Sequence, residues 1–121
     1  MRSARRPRHP TYVDLHEFRW TIEQTVTPHT YGTFSLHERA IRINPEINTS
    51  VVDEMDTLTH ELLHCIWRSA SLPRKREEQC VTDLSRGLTQ LMLRNPHLLD
   101  YYRKAAAHEA SLRNGSDERT T

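Results

Sequence analysis

Thr57-Leu58-Thr59-His60-Glu61-Leu62-Leu63-His64 carries the pattern H-E-x-x-H inside a stretch of helical periodicity, and the rest of the chain is read outward from it. At ~100° per residue, two side chains four apart on a helix stand about 40° from each other, one turn above the other. His60 and His64 so placed can grip one metal ion, with Glu61 at their side. A zinc hydrolase needs that arrangement: neutral imidazoles as ligands, an open coordination position and a carboxylate that takes a proton from water.

The helix that carries the pattern has its own boundaries. Asn48-Thr49-Ser50 offers caps ahead of Val51, and Asp53, Glu54 and Asp56 fall in the first turns, where the helix dipole favours negative charge. Ser71-Leu72-Pro73 ends it, so the helix is expected from about Val51 to Ala70. Val51, Met55, Leu58, Leu62, Cys65 and Ile66 make one broad apolar face. His60, His64, Thr57 and Asp53 lie on the opposite side, which is not where hydrogen-bonded core histidines belong. Trp67 and Leu63 flank the histidine side, as expected if another element covers part of it.

Upstream, the apolar period shortens to two. Tyr12 to Val26 reads as one strand, with Phe18, Trp20 and Ile22 alternating against Arg19, Thr21 and Glu23. Thr27-Pro28-His29-Thr30 is a turn. Tyr31 to Leu36 and Ala40 to Ile43 follow as a hairpin that Asn44-Pro45 terminates. Residues 1–10 hold four arginines and two prolines and read as a disordered basic tail.

Downstream, a second helix is expected from about Glu77 to Arg94, with Val81, Leu84, Leu88, Leu91 and Met92 on one stripe. Asn95 caps a third helix that starts at Pro96 and ends near Gly115, before a polar tail over residues 115–121. The expected fold class is α+β: a small antiparallel sheet of about three strands followed by three helices, with the H-E-x-x-H helix packed against its successor. Residues 11–114 form a single domain in this reading.

A formal charge of +1 argues against a nucleic-acid binder that works through an overall positive field. Two cysteines make no disulfide framework, and no apolar run resembles a signal peptide or a membrane span. A cytoplasmic protein without a membrane partner is expected.

Two histidines alone bind zinc weakly, and a catalytic site uses a third protein ligand. If the two helices form an antiparallel hairpin, the start of the second lies near His64, which makes Glu77, Glu78 and Cys80 the candidates. Glu77 falls in the middle of the apolar stripe and Glu78 at its edge, so periodicity alone leaves the choice open. The hairpin, the helix bearing Thr59-His60-Glu61-Leu62-Leu63-His64-Cys65 and a second helix that opens Glu77-Glu78 and continues Val81-Thr82-Asp83-Leu84-Ser85 resemble small gluzincin-type metallopeptidases. The nearest resemblance is to the ImmA/IrrE-like family and its compact phage-encoded relatives, over roughly residues 31–95. Aligning Leu84-Ser85 with the family's apolar-small pair implies Glu78 as third ligand and Glu77 as the alternative. Thr82 then stands where the family more often carries Asn or Asp.

The resemblance implies a zinc-dependent endopeptidase: zinc on His60, His64 and Glu78, Glu61 as general base, and a protein or peptide substrate laid along a strand at the rim. If the chain is phage-encoded, its compartment is the host cytoplasm. Tyr31, Tyr101, Tyr102, His29, His37 and His97 are candidate donors to the oxyanion. Asp56, Thr57 and Asp53 are spaced to hold the second nitrogen of a ligating imidazole. The alternatives are a non-catalytic, metal-stabilised binding module and a metal-dependent hydrolase of a non-peptide substrate.

Overall fold

Period-two alternation builds the first third of the chain into a sheet. The computed structural model describes residues 6–120, with side chains through Asn114. Its elements are β1 (Tyr12–Leu15), β2 (Phe18–Gln24), β3 (Gly32–Ser35), β4 (Ala40–Ile43), α1 (Val51–Ser69), α2 (Glu77–Arg94) and α3 (Pro96–Thr120). The fold is α+β, as expected, but the sheet has four strands rather than about three, and it is mixed rather than antiparallel.

Two causes account for the difference. The expected single strand over 12–26 folds back at His16-Glu17 into the β1–β2 hairpin, with Val13 opposite Trp20 and Leu15 opposite Phe18. His16 takes up a φ of 56°, a left-handed conformation that His adopts more readily than most residues. In addition β4 lies between β2 and β3, giving the order β1-β2-β4-β3, with β2 and β4 parallel. β4 carries the most completely buried side chains of the sheet, Ile41 and Ile43, and a central position is the one that buries them. β3 is left at the edge.

The inner face of the sheet presents Trp20, Ile22, Ile41 and Ile43, flanked by Val13, Leu15 and Phe34, to Leu58, Leu62 and Cys65 of α1. Burying each large apolar side chain contributes about 1.5–3 kcal/mol. The other face is polar, with Arg42 paired to Glu23 and Glu38. The core is thus one sheet against one helix.

α2 turns an unexpected side inward. Its buried residues are Glu77, Val81, Ser85 and Thr89, while Leu84 and Leu91 are about half exposed. Both ends of that buried line bond to α1: Glu77 to His64 and Arg68, and the Thr89 hydroxyl to Asp56 at 3.5 Å. α3 continues through Gly115, where its end was expected, to Thr120. Of the expected basic tail, residues 1–5 lie outside the described residues, as does Thr121 of the polar tail. Arg6 donates hydrogen bonds to the carbonyls of Asn48, Thr49 and Ser50 and to the Glu54 carboxylate. The chain divides into two compact units, one reaching Thr89 and one beginning at Gln90. Among the described residues, no helix is long and apolar enough to cross a membrane.

Candidate metal centre

Two buried asparagines position the elements around H-E-x-x-H. Asn44 donates through its side-chain amide to the carbonyls of Thr27 and Thr30, which shapes the loop leading into β3. Asn48 donates to the carbonyls of Tyr31 and Asn44 and accepts the hydroxyl of Thr57 on α1 at 2.6 Å. Both asparagines are 2 % exposed, so these amide bonds form away from competing water. Ser50 caps α1 by accepting the amide of Asp53. The start of β3 is in this way tied to the first turns of α1.

β3 then crosses α1 at unusually short range. A Cβ at Gly32 would stand 2.8 Å from Cγ2 of Thr57, 3.0 Å from the Arg42 carbonyl and 3.4 Å from Cγ of Glu61. A side chain there would force Thr57 or the neighbouring backbone to shift.

On α1, the Nε2 atoms of His60 and His64 lie 3.2 Å apart. The carboxylate of Glu78 spans them, with Oε1 2.9 Å from Nε2 of His60 and Oε2 2.8 Å from Nε2 of His64. Glu77 does something different: its Oε2 accepts the Nδ1–H of His64 at 2.6 Å, and Nε of Arg68 donates to both its oxygens. Phe34 of β3 stacks on the His64 ring, with centroids 5.1 Å apart and planes 11° from parallel. Burial works to raise the Glu77 carboxyl, but the bonds from His64 and Arg68 outweigh it and hold it below the usual carboxylate range.

Glu61 stands beside the pair with Oε2 buried and without a hydrogen-bond partner. Burial pushes its pKa up to about 7; His64 opposes this and the Glu78 carboxylate adds to it. A carboxyl near neutrality in a groove is suited to accept and return a proton.

His60, His64 and Glu78 form a group that could hold a metal ion. The donor set supports this chemically. With the Nδ1 proton of His64 committed to Glu77, Nε2 of that ring carries a lone pair. It faces the Nε2 of His60 and a carboxylate oxygen at hydrogen-bond distance, and such electron-rich atoms repel unless a cation or proton lies among them. Glu61 Oε2 is a further buried acceptor awaiting a donor such as water.

The group opens into a groove of about 770 Å³ floored by α1 from Asp53 to Arg68 and walled by Thr30 to Phe34 on one side and Glu78, Thr82 and Arg86 on the other. Tyr31 lines it, whereas His29 and His37 do not. Tyr101, Tyr102 and His97 belong to the unit that begins at Gln90. Asp53, Asp56 and Thr57 line the groove, yet the partner of Nδ1 of His64 is Glu77, and Thr57 bonds to Asn48 instead. Cys80 is half-buried and stands outside the group. Sequence reasoning did not assign Arg68, Phe34 or Gly32 to the site and named Asn48 only as a helix cap; of the first three only Gly32 left a signal, as an isolated glycine in a strand pattern. No family model matches the chain, and no curated protein or solved structure matches it either.

Proposed function

We propose that this chain is a zinc-dependent endopeptidase of the small gluzincin type, akin to the ImmA/IrrE-like family. The observation that carries the reading is the convergence of both Nε2 atoms and the Glu78 carboxylate beside the buried, unpartnered Oε2 of Glu61. His60, His64 and Glu78 would hold the metal. When bound, zinc supplies Lewis acidity towards a carbonyl and makes water acidic near neutral pH. Glu61 takes a proton from the attacking water at Oε2 and returns it to the leaving amine. Tyr31, which lines the groove, would be the donor to the developing oxyanion. The outer edge of β3 forms part of the groove wall and has unpaired backbone groups, which suits an extended protein or peptide segment. Two free cysteines fit a reducing cytoplasm.

The test pairs metal analysis with hydrolysis of an unfolded protein substrate. Wild type is expected to bind one zinc per chain and to cleave. Glu61→Gln is expected to keep the zinc and to lose activity by ~10²–10⁴-fold, the usual contribution of a general base. Wild type that takes up no zinc after reconstitution sinks the proposal. Wild type that binds zinc but cleaves no substrate would favour a metal-stabilised binding module, and zinc-dependent cleavage confined to non-peptide substrates would favour another hydrolase.

A further inference from the structure

The two histidines are held very differently. His60 has its side chain 23 % exposed, and Glu78, which reaches both rings, is 72 % exposed. His64 is 7 % exposed and fixed from three directions: Nδ1 bonded to Glu77, one ring face covered by Phe34, and Nε2 turned to His60 and Glu78. Glu77 is itself 5 % exposed and is held by Arg68 through both carboxylate oxygens. A carboxylate this buried is stable as a charge only with such a partner.

We infer that Glu77, held by Arg68, is a positioning residue: it fixes the His64 ring with Nε2 facing the metal position and so sets metal affinity without being a ligand. The inference rests on the metal reading above and deepens it. Three physical effects act together. The Nδ1–H bond excludes the other neutral tautomer, so the lone pair of the neutral ring lies on Nε2. The negative charge behind the ring makes that nitrogen a stronger donor. The stack on Phe34 and the bond to Glu77 also remove the rotational freedom that an unrestrained ring would lose on binding. His64 is then the fixed point on which His60 and Glu78 close.

Zinc affinity is measured by chelator competition on the full chain for wild type, Glu77→Gln, Glu77→Ala, Arg68→Gln and Glu78→Gln, with helix content checked by circular dichroism. Glu77→Gln keeps the shape and an acceptor for Nδ1–H, so it reports the charge alone even if the alanine variant fails to fold. The expected result is a 10–100-fold weakening in Glu77→Gln, a smaller one in Arg68→Gln, and a larger loss in Glu78→Gln. A second readout needs no metal. A slowly exchanging imidazole N–H proton should appear in the NMR spectrum of the metal-free protein, persist in Glu78→Gln and vanish in Glu77→Ala and His64→Ala. Wild-type affinity in Glu77→Gln overturns the inference while leaving the metal site standing. Binding abolished in Glu77→Gln but kept in Glu78→Gln overturns it the other way, by making Glu77 the ligand. Wild type that binds no zinc removes the metal reading and this inference together.

Discussion

Cys65 and Cys80 differ in their surroundings. Cys65 is fully buried between the sheet and α1, and burial, reinforced by the nearby Glu61 carboxyl, pushes its thiol up to about 12. Cys80 is half-buried near the start of α2. Reaction needs a thiolate within reach of the reagent. At pH 8, a disulfide-exchange reagent is therefore expected to titrate one thiol per native chain, Cys80, and a second only in denaturant; two fast thiols in the native protein would contradict the packing of Cys65. At this scale the spacing of His60 and His64 was legible, because a helix turns an interval of four residues into proximity whatever surrounds it. The choice between Glu77 and Glu78 was not. Periodicity placed Glu77 inside the apolar stripe, and that position is indeed buried, but what it meets there is Nδ1 of His64 and the guanidinium of Arg68. Neighbouring helical residues point ~100° apart, so the two carboxylates address opposite nitrogens of one ring.

Among the strands, β3 is the one that lines the groove, and Gly32 is where its fit against α1 is tightest. Gly32→Ala sets a methyl 2.8 Å from Cγ2 of Thr57, a side chain that its own bond to Asn48 prevents from turning away. Alanine in a strand recovers about 0.5–1 kcal/mol of backbone entropy relative to glycine. Overpacking costs typically 1–3 kcal/mol, so a net loss of about 1–2 kcal/mol is expected in urea unfolding. Thr57→Ser removes the opposing methyl and keeps the hydroxyl. The double variant should regain part of the loss, and an additive double variant would mean that the two groups do not meet. Peptide cleavage should fall in Gly32→Ala as well, because β3 and Glu61 would be forced apart. The β1–β2 hairpin shows what was readable at this scale and what was missed. Val13 and Leu15 are odd-numbered while Phe18, Trp20 and Ile22 are even, and that change of phase marks the reversal. His16-Glu17 carries no glycine or asparagine to announce a turn, so the break read as noise in one strand. On α2 the leucine stripe misled for the opposite reason: the smaller Ser85 and Thr89 are buried, and the larger Leu84 and Leu91 remain half outside.

At the scale of the whole molecule, burial is unevenly shared between the two compact units. Ile41, Ile43, Cys65 and Val81 are essentially fully buried, and all lie in the unit that reaches Thr89, as do His60, His64 and Glu78. None of the described side chains of α3 is buried. The α+β class was legible because the apolar period changes from two to about 3.6 at Asn48-Thr49-Ser50, but the parallel pairing of β2 with β4 was not, since it depends on contacts distant in sequence. A helix without a buried face is only marginally stable, whereas amides in a packed core open only with the whole unit. Native-state hydrogen exchange should therefore find the slowest amides in β4 and the middle of α1, and amides of α3 exchanging orders of magnitude faster. Zinc at a free concentration 100 times its dissociation constant stabilises a folded site by about 2.7 kcal/mol. That increment should slow exchange about 100-fold at those globally protected amides of β4 and α1, leave α3 unchanged, and be absent from His60→Ala. Slow exchange throughout α3 would contradict the burial pattern. An equal gain in His60→Ala would place the zinc somewhere other than between the two imidazoles and Glu78, and with it the chemistry assigned to Glu61.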